Sequence, residues 1–176
     1  KTQLLSDELF LQKIVKASEI CVRVMKNGGK LILCGNGGSY ADAQHICTEF
    51  ISRLVSDRNP LPAIALGMNG SNLTAIGNDY GFEHVFSREL SVIGKEGDFF
   101  IPISTSGDSE NVIFAVEVAK KIDMQIIGLT GVSGGKLSEL CDCIKVPSTE
   151  TMHIQEAHIM IGHLICELTE MEIFST

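Results

Sequence analysis

The chain has 176 residues, of which 44% are apolar and 20% are charged, a mixture typical of a globular protein with a substantial core. It contains 14 basic and 22 acidic residues, and the resulting formal net charge of −8 disfavours nucleic acids and anionic membranes as main partners. A small anion remains compatible with this charge, because a local site can oppose the overall sign.

No apolar run approaches the ~20 residues of a membrane-spanning helix, and no signal-peptide pattern opens the sequence, so a cytoplasmic location is expected. The six cysteines form no CxxC pair and lie among apolar neighbours. We interpret them as reduced core residues, because unpaired cysteines are usually buried. A redox pair formed by Cys141 and Cys143 is the alternative.

Patterns typical of helices and strands alternate along the chain. Apolar residues at helical spacing predict a first helix over 7–27, which ends at Asn27-Gly28-Gly29. Short apolar runs predict strands at 30–34, 63–66, 98–104, 125–130 and 143–146. Further helices are predicted after the first strand to about residue 56, and then over 71–77, 82–93, 109–122, 136–140 and 151–171. The segment 78–81 is predicted to be a turn.

Strands separated by helices of this length imply right-handed crossovers and a parallel sheet. The predicted fold is therefore a three-layer α/β structure, in which five parallel strands are flanked by helices in a flavodoxin-like, doubly wound arrangement. No linker divides the sequence, so one domain is expected over 1–176, with 1–29 packing on it or on a neighbouring subunit. Ligands of such sheets bind beyond the carboxyl ends of the strands.

The loop after the third predicted strand is rich in hydroxyls. It reads Ser104-Thr105-Ser106-Gly107-Asp108-Ser109 and precedes a helix. Its four hydroxyls and the free amides of a helix N-terminus can surround one anion, and Gly107 permits close approach. Because the loop contains no lysine, it would be a neutral phosphate site rather than a Walker loop. The alternative is that Ser109 is a simple N-cap.

The loop after the first predicted strand is rich in glycine. It reads Gly35-Asn36-Gly37-Gly38-Ser39 and does not have the GxGxxG spacing of a dinucleotide site. Asn36 can hydrogen-bond a polyol, and the glycines permit close contact with a ligand. A tight strand-to-helix turn is the alternative.

The helix that follows carries His45 and Glu49, which are four residues apart and therefore lie on one face. This pair is either half of a site for zinc or another transition metal, or a surface hydrogen bond. Arg53 continues the same stripe and can offset Glu49 or meet an anion.

The final predicted helix repeats this spacing at His163 and Glu167, while Gln155 precedes His163 by eight residues, or about 12 Å. His153 and His158 are expected to be solvated or to contact site residues indirectly. This helix is apolar over most of its circumference, which favours a second buried face at a subunit interface.

These segments together resemble the bacterial phosphoheptose isomerases, which have a sugar-isomerase (SIS) domain. The matches occur in order from about Lys30 onwards, in segments 34–39, 41–45 with Glu49, 75–81, 103–109, and 154–158 with His163. The Ser-Thr-Ser-Gly segment occurs throughout SIS domains, whereas the combination with the His, Glu and Gln positions is more specific. The sequence departs from the family at Tyr40, where a small residue is usual, and at Met152-His153, where an arginine is common.

The resemblance implies a five-stranded SIS fold and a homotetramer with active sites at subunit interfaces. It implies conversion of sedoheptulose 7-phosphate to D-glycero-D-manno-heptose 7-phosphate, which supplies the heptose of lipopolysaccharide or other surface glycans. It also implies one zinc ion per subunit, held by His45, Glu49, Gln155 and His163. The substrate site is expected to include Asn36, Gly37, Gly38, Ser39, Glu49, Arg53, Asn78, Asp79, Ser104, Thr105, Ser106, Ser109 and Gln155.

Such an isomerisation needs a base that moves a proton between C1 and C2, and we expect Glu49 to be this base and His163 to be the acid or proton shuttle. Whether ligand and acid–base roles alternate at these residues stays open at this level. The alternatives are an isomerase of another sugar phosphate and a non-catalytic SIS protein that senses a sugar phosphate or binds a regulatory partner. The presence of both Glu49 and His163 favours the enzyme.

Overall fold

The sheet in the computed structural model is parallel throughout and has the strand order β2-β1-β3-β4-β5. Its strands are β1 (Leu31–Cys34), β2 (Ala63–Ala65), β3 (Phe99–Pro102), β4 (Gln125–Thr130) and β5 (Asp142–Lys145). The predicted doubly wound α/β architecture is therefore confirmed. The structure describes residues 6–174, so positions 1–5 and 175–176 of the predicted domain lie outside the described residues.

Seven α-helices in the described part connect and flank the strands. They are α1 (Glu8–Lys26), α2 (Gly38–Ile51), α3 (Gly70–Tyr80), α4 (Val85–Ile93), α5 (Glu110–Lys121), α6 (Leu137–Leu140) and α7 (Thr151–Phe174). A 3₁₀ turn, Phe82–His84, joins α3 to α4. No helix in residues 6–174 combines the length and the apolar character that a membrane span requires.

The two faces of the sheet bury separate apolar clusters. Alternate residues of β1 point to opposite faces, as Leu31 and Leu33 do toward α1, α2 and α7, and Ile32 does toward α4 and α5. Both faces are thus covered, which explains why each strand reads as a continuous apolar run. All six cysteines are free and five of them are buried, while Cys141 is half-buried, so the prediction of core cysteines holds for those five.

Helix α2 ends at Ile51, earlier than the predicted end near residue 56. The side chain of Arg58 explains the early end, because its Nη1 donates to the Phe50 carbonyl (2.6 Å) and its Nη2 donates to the Glu49 carbonyl (2.8 Å). The last carbonyls of a helix need such partners, and Arg58 supplies them without another helical turn.

The segment 78–81, which the sequence pattern predicts to be a turn, differs from that prediction. Asn78 and Asp79 lie inside α3, which is capped by the Asn69 side chain and ends only at Gly81, with φ at +96°. Pro102 lies within β3, where the ladder hydrogen bond to Cys34 comes from the amide of Ile103 (2.9 Å). The missing N–H of Pro102 is therefore not needed at that point.

A buried ion pair joins the segment after α2 to α7. Arg58 Nε lies 2.9 Å from Glu170 Oε2, and the two side chains are only 2% and 4% exposed. The other oxygen, Oε1, accepts hydrogen bonds from the amide and hydroxyl of Ser56, both at 2.8 Å. Burial alone would raise the pKa of Glu170, but the hydrogen bonds from Ser56 and Arg58 lower it to about 2.

His158 lies on α7 and is completely buried, so of the two alternatives predicted for it the solvated one is wrong. The helix turns this side chain toward the end of β4, where Thr130 is also buried. Burial lowers the pKa of His158 to about 4, and the backbone of Thr130 opposes this only in part. By contrast, His153 is exposed, as predicted.

We predict that Glu170→Gln lowers the free energy of unfolding by about 3 kcal/mol, because it leaves the Arg58 guanidinium buried without its counter-charge. Asp142→Asn is the matched control, since Asp142 pairs with Lys16 at 2.7 Å but both side chains are more than half exposed. That change should cost less than about 1 kcal/mol. Urea unfolding of both variants measures the two changes. Equal losses in the free energy of unfolding would show that the buried pair stabilises the fold no more than the exposed pair does.

The pKa of His158 also makes stability depend on pH. Between pH 6.5 and about 4 the unfolded chain binds a proton at this residue and the folded chain does not, so the free energy of unfolding falls as the pH falls. The expected loss over this window is about 3 kcal/mol, and His158→Asn should abolish it. Urea unfolding at pH 7 and pH 4 tests this against His153→Asn. Parallel pH profiles for the native protein and His158→Asn would contradict the assignment.

Candidate active site

The carboxyl ends of β1 and β3 bring the glycine-rich and serine-rich loops to the same edge of the sheet. The glycine-rich loop turns at Gly37, with φ at +55°, and no side chain caps the helix that follows. A Cβ at Gly35 would lie 2.6 Å from the carbonyl oxygen of Ser39, and one at Gly38 would collide with the amide of Gln155. These two glycines therefore permit close packing, and the Gln155 side chain of α7 lies over the first turn of α2.

The serine-rich loop gathers its hydroxyls around Ser104. Ser104 Oγ lies 3.0 Å from Ser109 Oγ and 3.4 Å from Ser106 Oγ, and it accepts from the amide of Gly107 at 3.1 Å. Ser109 occupies the N-cap position of α5, but its hydroxyl makes no capping hydrogen bond. The simple N-cap interpretation therefore does not describe this side chain, which faces the other hydroxyls of the loop.

The serine-rich loop, which also contains the half-buried Thr105, is held against the loop between β4 and α6. Gly107 has φ at +78°, and a Cβ there would collide with the carbonyl of Gly134. Asp108 Oδ1 accepts from the amide of Lys136 at 2.9 Å. These contacts fix the loop backbone, so its hydroxyls are positioned without a bound ligand.

Three potential metal ligands converge between α2 and α7. The Nε2 atoms of His45 and His163 lie 3.1 Å apart, and Glu49 Oε1 lies 3.2 Å from His45 Nε2. All three ligand atoms lie within 4.8 Å of one another. The side chain of His45 is 52% exposed and that of Glu49 is 17% exposed, so the cluster is open on one side. One turn before His45, burial raises the pKa of Asp42 to about 6, although His45 opposes this shift.

The donor set of this cluster fits zinc. Two imidazole nitrogens and a carboxylate oxygen are ligands that zinc commonly binds, and three protein ligands with an open position are typical of catalytic zinc sites. Gln155 lies on the same helix as His163, two turns earlier, with its amide beside Gly38. It therefore borders the glycine-rich loop, and its carboxamide oxygen is a further potential metal ligand on this side of α7.

The remaining predicted site residues occupy different surroundings. Ser39 is buried in the first turn of α2, whereas Arg53 is exposed just beyond the end of that helix. Asn78 and Asp79 are exposed at the end of α3, where Asn78 Nδ2 donates to Asp79 Oδ1 at 2.8 Å. Asp79 also lines a cavity of about 340 Å³ between α3 and α4. Within residues 6–174, the side chains of Arg53, Asn78 and Asp79 form no hydrogen bond with either loop.

Tyr40, the first departure from the family pattern, has a packing role. Its hydroxyl donates to the Gly67 carbonyl at 2.7 Å, and a Cβ at Gly67 would lie 3.2 Å from the Tyr40 ring. The ring thus fixes the loop that follows β2.

One residue that the sequence pattern did not single out contacts the site. Asn111, in the first turn of α5, is 3% exposed and forms two hydrogen bonds with Asn36, both at 2.8 Å. An asparagine two positions after the serine that opens a predicted helix is the sequence signal, and it does not identify a partner 75 positions away.

Comparison with known proteins identifies the family of this chain. The SIS domain family matches residues 6–131. The chain is 55% identical over 175 residues to a phosphoheptose isomerase of Aneurinibacillus thermoaerophilus, covering 99% of this chain and 88% of that protein. It is 54% identical to phosphoheptose isomerase 2 of Campylobacter jejuni, covering 99% and 87%.

The fold is also similar to a solved structure, that of phosphoheptose isomerase GmhA from Neisseria gonorrhoeae. The TM-score is 0.86 at 42% sequence identity, over 93% of this chain and 88% of that one. These likenesses extend over the sheet, both loops and the helices that carry the histidine cluster. The chain therefore belongs to the phosphoheptose isomerase family of SIS-domain proteins.

Proposed function

We propose that this protein converts sedoheptulose 7-phosphate to D-glycero-D-manno-heptose 7-phosphate through an enediolate. The observation that carries the proposal is the convergence of His45, Glu49 and His163 beside two loops that can hold a phosphorylated sugar. Family membership gives the reaction class, and the cluster gives a base and a proton donor at one place. The product is the aldose from which heptose units of surface glycans are made.

The serine-rich loop is the proposed phosphate site. The hydroxyls of Ser104, Ser106 and Ser109 can donate to phosphate oxygens, together with that of Thr105 and the first amides of α5. All of these donors are neutral, so the site needs no basic side chain. Asn36, Gly37, Gly38 and Ser39 are the proposed contacts of the sugar chain, with Arg53, Asn78 and Asp79 at its outer edge.

The proton transfers can be assigned to two side chains. Glu49 takes the carbon-bound proton from C1 of the ketose and returns it to C2, because a carboxylate can act as a general base. His163 moves the hydroxyl proton from O1 to O2, since imidazole exchanges protons near neutral pH. The atoms balance, because the substrate gains and loses one proton at carbon and one at oxygen.

His45, Glu49, Gln155 and His163 are the residues that would hold a zinc ion. When bound, zinc would supply Lewis-acid stabilisation of negative charge on the substrate oxygens. Glu49 and Gln155 would then contact both the ion and the substrate, which accounts for the open side of the cluster.

The proposal includes a cytoplasmic homotetramer in which neighbouring subunits complete each active site. Its support is the half-buried apolar surface of α7, formed by Ile159, Met160, Leu164 and Leu168. A helix with more apolar surface than its own domain covers is suited to a subunit interface.

The native protein should turn over sedoheptulose 7-phosphate, and Glu49→Gln should lower kcat by about 10²- to 10⁴-fold, because the amide cannot accept the proton. Nuclear magnetic resonance of the sugar carbons follows the aldose product. Glu117→Gln, an exposed change on α5, is the matched control and should keep native turnover. Near-native activity of Glu49→Gln would contradict its role as base. Turnover of a different ketose phosphate instead would contradict the heptose substrate.

Purified protein should contain about one zinc ion per chain, as a site with three or four protein ligands predicts. His45→Ala and His163→Ala should each lose most of this metal, whereas His153→Ala, an exposed histidine of α7, should retain it. Elemental analysis after gel filtration gives the metal content directly. A metal-free native protein whose activity resists chelation would reject the zinc site.

A further inference from the structure

The glycine-rich and serine-rich loops are joined by one reciprocal amide pair. Asn36 Nδ2 donates to Asn111 Oδ1 and Asn111 Nδ2 donates to Asn36 Oδ1, each at 2.8 Å. Asn111 is 3% exposed, whereas Asn36 is only half-buried and faces a cavity of about 310 Å³. Asn111 also borders this cavity, but because its side chain is almost fully buried, Asn36 is the more accessible member of the pair.

Counting hydrogen-bonding groups shows what the pair leaves available. A carboxamide has two N–H donors and two acceptor lone pairs, and the reciprocal pair uses one of each on both residues. Asn36 therefore keeps one donor and one acceptor, which is the combination that a sugar hydroxyl requires. The pair also fixes which edge of the Asn36 amide faces the cavity, because rotating this amide alone would place like groups opposite each other.

We propose that Asn111 is a positioning residue for the isomerisation, which acts by holding the Asn36 carboxamide in the orientation that binds a hydroxyl of the sugar phosphate. This inference rests on the proposed function. Asn111 lies two positions after Ser109 on α5, and Asn36 lies two positions after Cys34 on β1. The pair thus sets the distance between the serine-rich loop and the glycine-rich loop, as well as the orientation of Asn36. Asn111 itself does not touch the substrate.

The surroundings of the pair make an aspartate at position 111 informative. In Asn111→Asp the ionised carboxylate would oppose Asn36 Oδ1, whereas the protonated carboxyl would donate to it and restore both hydrogen bonds. Glu83 and Glu110 line the same cavity, and together with burial they should keep the pKa of the introduced carboxyl above its usual range. The variant should therefore regain function as the pH falls.

The experiment compares kcat/KM for sedoheptulose 7-phosphate between pH 5.5 and 8.5 in native protein, Asn111→Asp and Asn111→Ala. We expect Asn111→Ala to lose about 10- to 100-fold at every pH, as misplaced binding groups typically cost. At pH 8.5 the kcat/KM of Asn111→Asp should be reduced as much as that of Asn111→Ala. At pH 5.5 the ratio of its kcat/KM to that of native protein should be at least tenfold higher than at pH 8.5. A pH-independent ratio for Asn111→Asp would overturn the proposal.

Two further measurements separate positioning from general disruption. In an Asn36→Ala background, adding Asn111→Ala should lower kcat/KM by less than a further twofold, because the effects of residues that act through one another are not additive. Inhibition by inorganic phosphate should change less than threefold in Asn111→Asp. Additive losses, or an equal loss of phosphate affinity, would show that Asn111 supports the serine-rich loop instead. If native protein does not turn over sedoheptulose 7-phosphate, the proposed function fails. Native turnover with unaffected Asn111 variants rejects only this inference.

Discussion

The buried ion pair between Arg58 and Glu170 ties the segment after α2 to α7, and the histidine cluster lies between these two helices. The same guanidinium ends α2 by binding the carbonyls of Glu49 and Phe50. Glu49 is therefore fixed to the helix that carries His163, two turns before Glu170. Desolvation offsets much of the attraction within a buried pair, but removing one partner would leave the other charge buried and unpaired, so both residues are needed together.

Close backbone approaches complete the arrangement at the edge of the sheet. Gly107 packs on the Gly134 carbonyl, and Gly38 lies beneath the Gln155 amide, at separations that no Cβ would allow. The two loops that follow β1 and β3 are thus held from both sides, by α7 and by the loop after β4. Preorganisation of this kind reduces the entropy that a bound sugar phosphate would otherwise cost.

The net charge of −8 is compatible with an anionic substrate, because the hydrogen-bond donors of the serine-rich loop are neutral and held in fixed directions. The serine-rich loop offers hydroxyl and amide donors, whose directions are set by hydrogen bonds such as that between Ser104 and Ser109. Oriented neutral dipoles select a phosphate by geometry, and they do not attract polyanions over long distances as a basic patch would. The acidic surface of the protein is therefore compatible with the proposed phosphate site in this loop.

The sequence by itself determined the order of strands and helices, the five-stranded parallel sheet, and the two loops at its edge, because apolar periodicity, glycine turns and crossover handedness are local properties. It also indicated His45 with Glu49, which are neighbours on one helix. His163, 118 positions away, was expected beside them only through the family resemblance, and the tertiary structure brings it there. Only the tertiary structure decided that Asn111 binds Asn36 and that His158 is buried. These outcomes depend on packing between helices that are distant in the chain, and no local pattern records which side chains such packing brings together.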